Sequence, residues 1–290
     1  MLKVGFLGPE GTFSEEASVL YSKKVKNAEF LPYSTIYDLM KAVDSGKLDE
    51  GITPVENSIE GTVGVVTDML VKDVKLMIRQ EMVLPIFHYL LARKGTKISS
   101  VTDIISHPQA IDQCKGFLRK RLPKVEIYLA HSTADAVRQV ATSLGEGALE
   151  IKGLKSKKHA FAAIGTRAAA RLYDLKILAS KINDYRDNLT RFIVLSKKDH
   201  ARTGNDKTSI VFSIAKDKPG GLYEILGNFA IRRINLTKIE SRPSKRALGD
   251  YYFFVDLQGH RKDRDVAEAL SKVKKNVAFF KLLGSYPRGD

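Results

Sequence analysis

The stretch Asp187-Asn188-Leu189-Thr190-Arg191-Phe192, followed at once by the apolar run Ile193-Val194-Leu195, reads as a strand that opens on polar residues. Side chains alternate along an extended segment, so Thr190 and Phe192 fall on one face and Arg191 on the other. One face then holds a hydroxyl beside an aromatic ring, a surface suited to a small polar ring compound. Thr and Phe are also good strand formers, and a lone Arg on the far face reads equally as a solvated charge. Stretches further upstream place short polar side chains at turns and helix starts in a similar way, and they favour the functional reading.

The first of these is Gly8-Pro9-Glu10-Gly11, a turn after the apolar strand Leu2 to Leu7. It hands over to a helix opened by Thr12, with Glu15 three residues on as a capping box. Such a helix start offers free N–H groups to a carboxylate or phosphate, although the dinucleotide and P-loop glycine patterns are missing. A strand from Asp49 to Val55 leads into Glu56-Asn57-Ser58, where Glu56 is the carboxylate that stands out and Asn57 and Ser58 read equally as caps. Met82 to Leu91 is a buried strand broken by Pro85 that carries the chain into a second lobe. Next comes Ser106-His107-Pro108-Gln109, with His107 at a strand-to-helix turn and no second ligand at metal spacing. Cys114 in the helix that follows is read as packing. A strand from Glu126 to Ala130 ends at Ser132-Thr133-Ala134-Asp135, and one from Ala160 to Ile164 ends at Gly165-Thr166-Arg167, with Gly145–Lys158 between them as an exposed loop. Strands and helices alternate, which predicts an α/β fold with mostly parallel sheets and a ligand at the carboxyl ends of the strands.

With 290 residues, 43% hydrophobic and 28% charged, the chain can bury the cores of two domains. A single cysteine allows no disulfide and no thiolate cluster, which points to a reducing compartment. The first residues read strand, turn and polar helix rather than signal peptide, and no run approaches the ~18 apolar residues of a membrane span, so a cytoplasmic location is expected. The net charge of +15 is spread out: 17 Lys and Arg against 10 Asp and Glu from Asp206 onward give +7 and leave +8 upstream. With no nucleic-acid-binding motif beside it, this charge predicts a field that draws a small dianion, not a nucleic acid.

Residues 199–206 read as a polar linker between a first domain, 1–198, and a second, 207–290. The second domain has strands at Thr208–Ala215, Leu236–Ser241, Tyr251–Leu257 and Ala278–Leu283. Helices begin at Pro219-Gly220-Gly221 and at Asp265, which gives the βαββαβ order of the ferredoxin-like plan. Two helices on one face of that sheet leave the other face and an edge to be covered, so self-association is expected.

Taken together, these motifs resemble the prephenate dehydratases of the monofunctional kind: Gly8-Pro9 to Phe13, Pro54 to Ser58, Ser106 to Gln109 with Gln113-Cys114, Ser132 to Ala134, and Asn188 to Phe192. Gly220-Gly221-Leu222-Tyr223 and Glu240-Ser241-Arg242-Pro243 resemble the phenylalanine-sensing ACT domain, with Gly221 where that family usually has Ala. No chorismate mutase segment precedes Met1, so a fused bifunctional form is not expected. The resemblance implies two α/β lobes of the periplasmic-binding-protein type, a site in the cleft between them, and conversion of prephenate to phenylpyruvate without metal or organic cofactor. It implies that Thr190 acts on the leaving hydroxyl, with His107 and Glu56 in support and Arg191 either on a carboxylate or holding the strand. Thr12, Asn57, Ser58, Gln109, Ser132 and Thr133 would cradle the carboxylates, with Phe192 near the ring. Pro219, Gly220, Gly221, Leu222, Asn235, Leu236, Glu240, Ser241 and Arg242 would surround phenylalanine as inhibitor, in a homodimer or homotetramer. Arogenate dehydratase and a non-catalytic amino-acid sensor are the competing readings.

Overall fold

The computed structural model describes residues 1–142, 160–214, 219–245 and 249–289; the expected loop at Gly145–Lys158, and Ala215 at the end of an expected strand, lie outside them. A first lobe is built from β1 (Leu2–Leu7), α1 (Phe13–Ser22), β2 (Ala28–Tyr33), α2 (Ile36–Ser45), β3 (Glu50–Asn57), β4 (Gly61–Thr62), α3 (Gly64–Lys72) and β5 (Met77–Pro85). The chain then enters a second lobe with β6 (Tyr89–Ala92), β7 (Asp103–Ser106), α4 (Pro108–Asp112), α5 (Lys115–Arg121), β8 (Glu126–Leu129), α6 (Thr133–Thr142), β9 (Phe161–Gly165), α7 (Arg167–Leu172) and β10 (Lys176–Ala179). It returns to the first lobe as β11 (Leu189–Ser196). A C-terminal domain follows, with β12 (Asp206–Ser213), α8 (Gly221–Ala230), β13 (Leu236–Pro243), β14 (Tyr251–Gln258), α9 (Arg264–Asn276) and β15 (Phe279–Pro287).

The first-lobe sheet runs β2-β1-β3-β11-β5, and the second runs β10-β6-β9-β7-β8. As expected, Met82–Leu91 divides at Pro85, and its two halves sit in different sheets. The expectation of mostly parallel sheets needs correction. β1 lies parallel to β2 and β3, and β7 to β8 and β9, whereas β11, β6 and β10 are antiparallel to their neighbours. The cause is the path of the chain, which leaves the first lobe at the end of β5 and re-enters beside that point at the start of β11, where Leu189 pairs with Pro85, so that the two strands must run in opposite directions.

β11 is apolar on both sides because it is a central strand. Phe192 and Val194 pack with Val4, Phe6 and Tyr21 on the α1 side, and Ile193 and Leu195 pack with Leu39, Val43 and Leu70 on the other. The two segments that join the lobes are laced together. The Asn183 side chain accepts from His88 N at 2.7 Å and donates to Ile86 O at 3.0 Å, and Ile86 N donates to Asn188 O at 2.8 Å.

In the C-terminal domain the sheet order β13-β14-β12-β15 is that of the ferredoxin-like plan, with α8 and α9 packed on one face. The opposite face is covered by the same chain and not left for a second copy. Val211, Tyr252, Phe254, Leu283 and Tyr286 share one core with Val66, Leu70 and Ile78 of the first lobe. β15 passes β5 so closely that a Cβ at Gly284, where φ is +141°, would collide with the backbone of Ile78. The connecting residues are pinned as well: the Asp199 carboxylate accepts from Arg261 at 2.7 and 2.9 Å and from Ser285 N at 3.1 Å.

Candidate active site

A cleft of about 310 Å³ opens between the two lobes. From the first lobe it is lined by Leu7, Gly8, Thr12, Phe13, Asn57, Thr190 and Phe192, and from the second by His107, Gln109, Gln113, His131, Ser132 and Thr133, with Ile86 and His88 at the junction. Helix caps bring several of these side chains to the rim. Thr12 caps α1 by accepting from Glu15 N at 3.3 Å, while the Glu15 carboxylate reaches back to Gly11 N at 2.6 Å. Ser132 accepts from Asp135 N at 2.9 Å, and His107 Nδ1 accepts from Gln109 N at 3.3 Å. Capping and cleft lining therefore coincide in the same residues. The ends of α1 and α6 both present N–H groups to the space between the lobes.

The pairing of β11 with β3 decides which residues enter the cleft. Thr190 lies opposite Asn57, and Arg191 opposite Glu56. Opposed residues share a face, so the first pair turns toward the cleft and the second away from it. Asn57 is held by Ile59 N and Glu60 N, both donating to its Oδ1 at 3.0 Å, so its Nδ2 must donate. That nitrogen reaches Thr190 Oγ1 at 2.9 Å. Among the described residues this is the hydrogen bond on the Thr190 hydroxyl, which accepts and keeps its own hydrogen for another partner. Thr190 is 9% exposed.

Glu56 and Arg191 do not line the cleft. Arg191 turns to the C-terminal domain, where Nε meets Glu81 at 2.7 Å, Nη1 meets Asp256 at 2.6 Å, and Nη2 donates to the Tyr286 hydroxyl at 2.7 Å. Glu56 lies 3.6 Å from the same guanidinium and 3.1 Å from Lys238. Arg191 points away from the cleft, as the alternation suggested, so its carboxylate-binding alternative is corrected, and Glu56, expected in support, lies behind the strand pair with it. Ser58 is outside the cleft too. It clasps β3 to β11, donating to Asp187 O at 3.1 Å and accepting from Leu189 N at 2.9 Å. Cys114 is fully buried in the core of the second lobe, between α4 and α5 and not inside a helix, and burial pushes its thiol up.

Three residues of the site went unread in the sequence. His88 sits in an apolar run, and Gln113 and Asn188 stand in motifs without a role of their own. His88 is 4% exposed, and burial pushes its imidazole down to about 4 against the raising pull of Gln113, so it is neutral at neutral pH. Among the described residues no group of three or more His, Cys, Asp or Glu could hold a metal ion, and no helix is long and apolar enough to cross a membrane.

Asp256 makes the inter-domain contact sensitive to pH. Burial pushes its carboxyl up, but Arg191, Ser209 and Lys207 outweigh burial and hold it below the usual carboxylate range, with Tyr286 and Glu81 completing its surroundings. A depressed folded-state value stabilises above the unfolded value of about 3.9, and that stabilisation is lost as pH falls through the folded value. Below about pH 4 the wild type should therefore lose stability more steeply than Asp256→Asn, a difference to be read as urea midpoints at pH 6 and pH 3.

At the expected effector site, Gly220 begins α8 with φ +80°, and Pro219, Gly220, Asn235 and Ser241 are exposed, while Gly221 is buried. Leu222 and Leu236 pack toward the helix-side core. A bulge between Leu236 and Lys238 then turns Lys238, Glu240 and Arg242 to the opposite face. There Glu240 pairs with Lys238 at 3.2 Å, and Arg242 with Asp68 of α3 at 3.0 Å. Glu240 and Arg242 are thus contacts to the first lobe and not part of the wall beside α8.

Known proteins resemble the chain along its length. Residues 4–200 match the family model described as prephenate dehydratase, and residues 208–275 match the ACT domain. The chain is 43% identical over 288 residues to a bifunctional chorismate mutase/prephenate dehydratase of Aquifex aeolicus, covering 99% of this chain and 74% of that one. It is 40% identical over 287 residues to a prephenate dehydratase of Methanocaldococcus jannaschii, covering 97% of both. A crystal structure of prephenate dehydratase from Arthrobacter aurescens in complex with L-Phe superimposes with a TM-score of 0.86 at 34% identity, covering 100% of this chain and 91% of that one. The chain belongs to the prephenate dehydratase family and carries an ACT domain after its two lobes.

Proposed function

We propose that the protein is a carbon–oxygen lyase that converts prephenate to phenylpyruvate, with residues 1–198 as the catalytic part, 199–206 as the link and 207–290 as the regulatory part. The observation that carries this reading is the Thr190 hydroxyl, which takes its hydrogen bond from Asn57 at 2.9 Å and so has a hydrogen to give into the cleft. In the reaction the bond from ring carbon to carboxylate breaks, its electron pair enters the ring, and the hydroxyl departs from the opposite carbon with its own electrons. Carbon dioxide and hydroxide leave, and solvent protonates the hydroxide. Aromatisation supplies the driving force, so no electron carrier or metal has to take part. The protein must hold the dianion and stabilise the departing oxygen.

Thr190 donates a hydrogen bond to that oxygen; its own pKa is far too high for it to transfer the proton outright. The N-termini of α1 and α6, with Thr12, Ser132, Thr133 and Gln109, receive the two carboxylates. Phe192 packs beside the ring, and His107 fixes the start of α4. Glu56, Ser58 and Arg191 support the strand pair from behind.

Phenylalanine is the effector in this reading, held where α8 begins and bounded by Pro219 to Leu222, Asn235, Leu236 and Ser241. The exposed Tyr223 and Ile231, at 81% and 82%, and the open edge of β13 favour self-association in a dimer or tetramer. Phenylpyruvate formed from prephenate, measured by its absorbance in alkali, tests the activity, with arogenate as a parallel substrate. Added phenylalanine should weaken turnover by about 5–150-fold, the range of a coupling of roughly 1–3 kcal/mol. Turnover of arogenate alone would shift the substrate assignment, and inertness toward both substrates would leave a binding protein.

A further inference from the structure

Four side chains between the lobe junction and Thr190 form one hydrogen-bonded line with a fixed sense. Asn57 Nδ2 donates to Thr190 Oγ1 at 2.9 Å and to Asn188 Oδ1 at 2.7 Å. Asn188 Nδ2 donates to Gln113 Oε1 at 2.8 Å, and the same oxygen lies 3.1 Å from His88 Nε2. Each orientation follows from its neighbour. The backbone N–H groups of Ile59 and Glu60 set Asn57, Asn57 sets Asn188, and Gln113 must then accept with its oxygen while its Nε2 donates to Glu60 at 3.2 Å. An amide oxygen cannot donate, so His88 carries its proton on Nε2. Its Nδ1 is buried without a partner among the described residues. The Phe13 ring packs edge-on against the imidazole, with centroids 5.7 Å apart.

Asn188, Gln113 and His88 are almost completely buried, which is costly for polar groups that serve packing alone. Their line runs from the segment joining the lobes to the one hydroxyl on which the proposed chemistry depends. We propose that His88, acting through Gln113 and Asn188, is a positioning residue for Thr190. The sense of the line is set at Asn57; His88 anchors its far end in place, so that Gln113 and Asn188 hold the Asn57–Thr190 pair in position and the Thr190 hydrogen remains directed to the substrate. His88 itself transfers no proton. Its role is to donate from Nε2 in the neutral state. This inference rests on the dehydratase reading given above.

The test combines kinetics with nitrogen NMR of the histidine rings. His88→Leu removes the donor, whereas His88→Gln keeps an N–H near the Nε2 position. His88→Leu and Asn188→Leu should each lower kcat by about 10²-fold with little change in KM, as expected when a donor is misplaced by about 1 Å, and His88→Gln should recover most of the rate. A change in thermal stability or KM with kcat intact would reduce the line to a packing device and overturn the proposal. Equal loss of kcat in His88→Gln and His88→Leu would also overturn it, since the ring itself would then be required. The NMR measurement is independent of substrate. The wild-type protein should show His88 neutral at pH 7 with the proton on Nε2, and a proton on Nδ1 instead would reverse the sense of the line and end the proposal even if prephenate proved to be the wrong substrate.

Discussion

Thr190→Ala should lower kcat by about 10²–10³-fold, or roughly 2.7–4 kcal/mol, while KM changes little. The removed hydroxyl is the donor that gains strength only as charge develops on the departing oxygen, so its loss falls on the transition state and not on binding. The backbone of β11 should not move, because Phe192 to Leu195 are packed on both faces. Thr190→Ser keeps the hydroxyl but loses the methyl that restricts its rotation, and should lie between the two. Steady-state kinetics of the three proteins on prephenate decide the matter. A loss of only a few-fold in the alanine variant would remove Thr190 from the chemistry.

The largest effect on stability is expected for Arg191→Met. The guanidinium is surrounded by Glu81, Asp256 and Glu56, and its side chain is 13% exposed. Glu81 would keep Lys207 at 2.7 Å, but Asp256 would lose the cation that does most to offset its burial. Breaking a buried ion pair on one side typically costs about 3–5 kcal/mol. Adding Asp256→Asn should restore part of the loss, because the stranded charge goes with it. Urea unfolding of the single and double variants measures both quantities, and a single-variant loss below about 1 kcal/mol would show that the cluster is solvated like a surface pair. The same substitution cuts the tie between the sheet of the regulatory domain and the residue next to Thr190. Inhibition by phenylalanine should therefore weaken in Arg191→Met while phenylalanine still binds.

Much of the fold could be read from residue order because the signals are local. Thr12, Ser132 and Thr166 cap the helices they precede, and the apolar run after Phe192 is a strand buried on both faces. The alternation that sends Thr190 to one side and Arg191 to the other was also legible. What lay on that other side was not. Glu56, Arg191, Glu240 and Arg242 are charged residues inside motifs, and motif position suggests a ligand. Only the packed structure shows a second domain to receive them. His88 was hidden for the opposite reason: an imidazole in an apolar run looks like filler until Gln113 and Asn188, distant in sequence, are brought beside it.

The central place of β11 also governs the order in which the molecule can be assembled. Thr190 bonds to a partner 133 positions earlier, and β3 and β5 meet only through the strand between them. During synthesis the first 85 residues emerge with a gap in their sheet, and all of the second lobe must follow before the piece that fills it is made. Closing so long a loop is slow, and until then two strand edges stand open to wrong partners. A fragment cut after Pro85 should therefore aggregate when expressed alone and become soluble when a peptide spanning Leu189 to Ser196 is supplied.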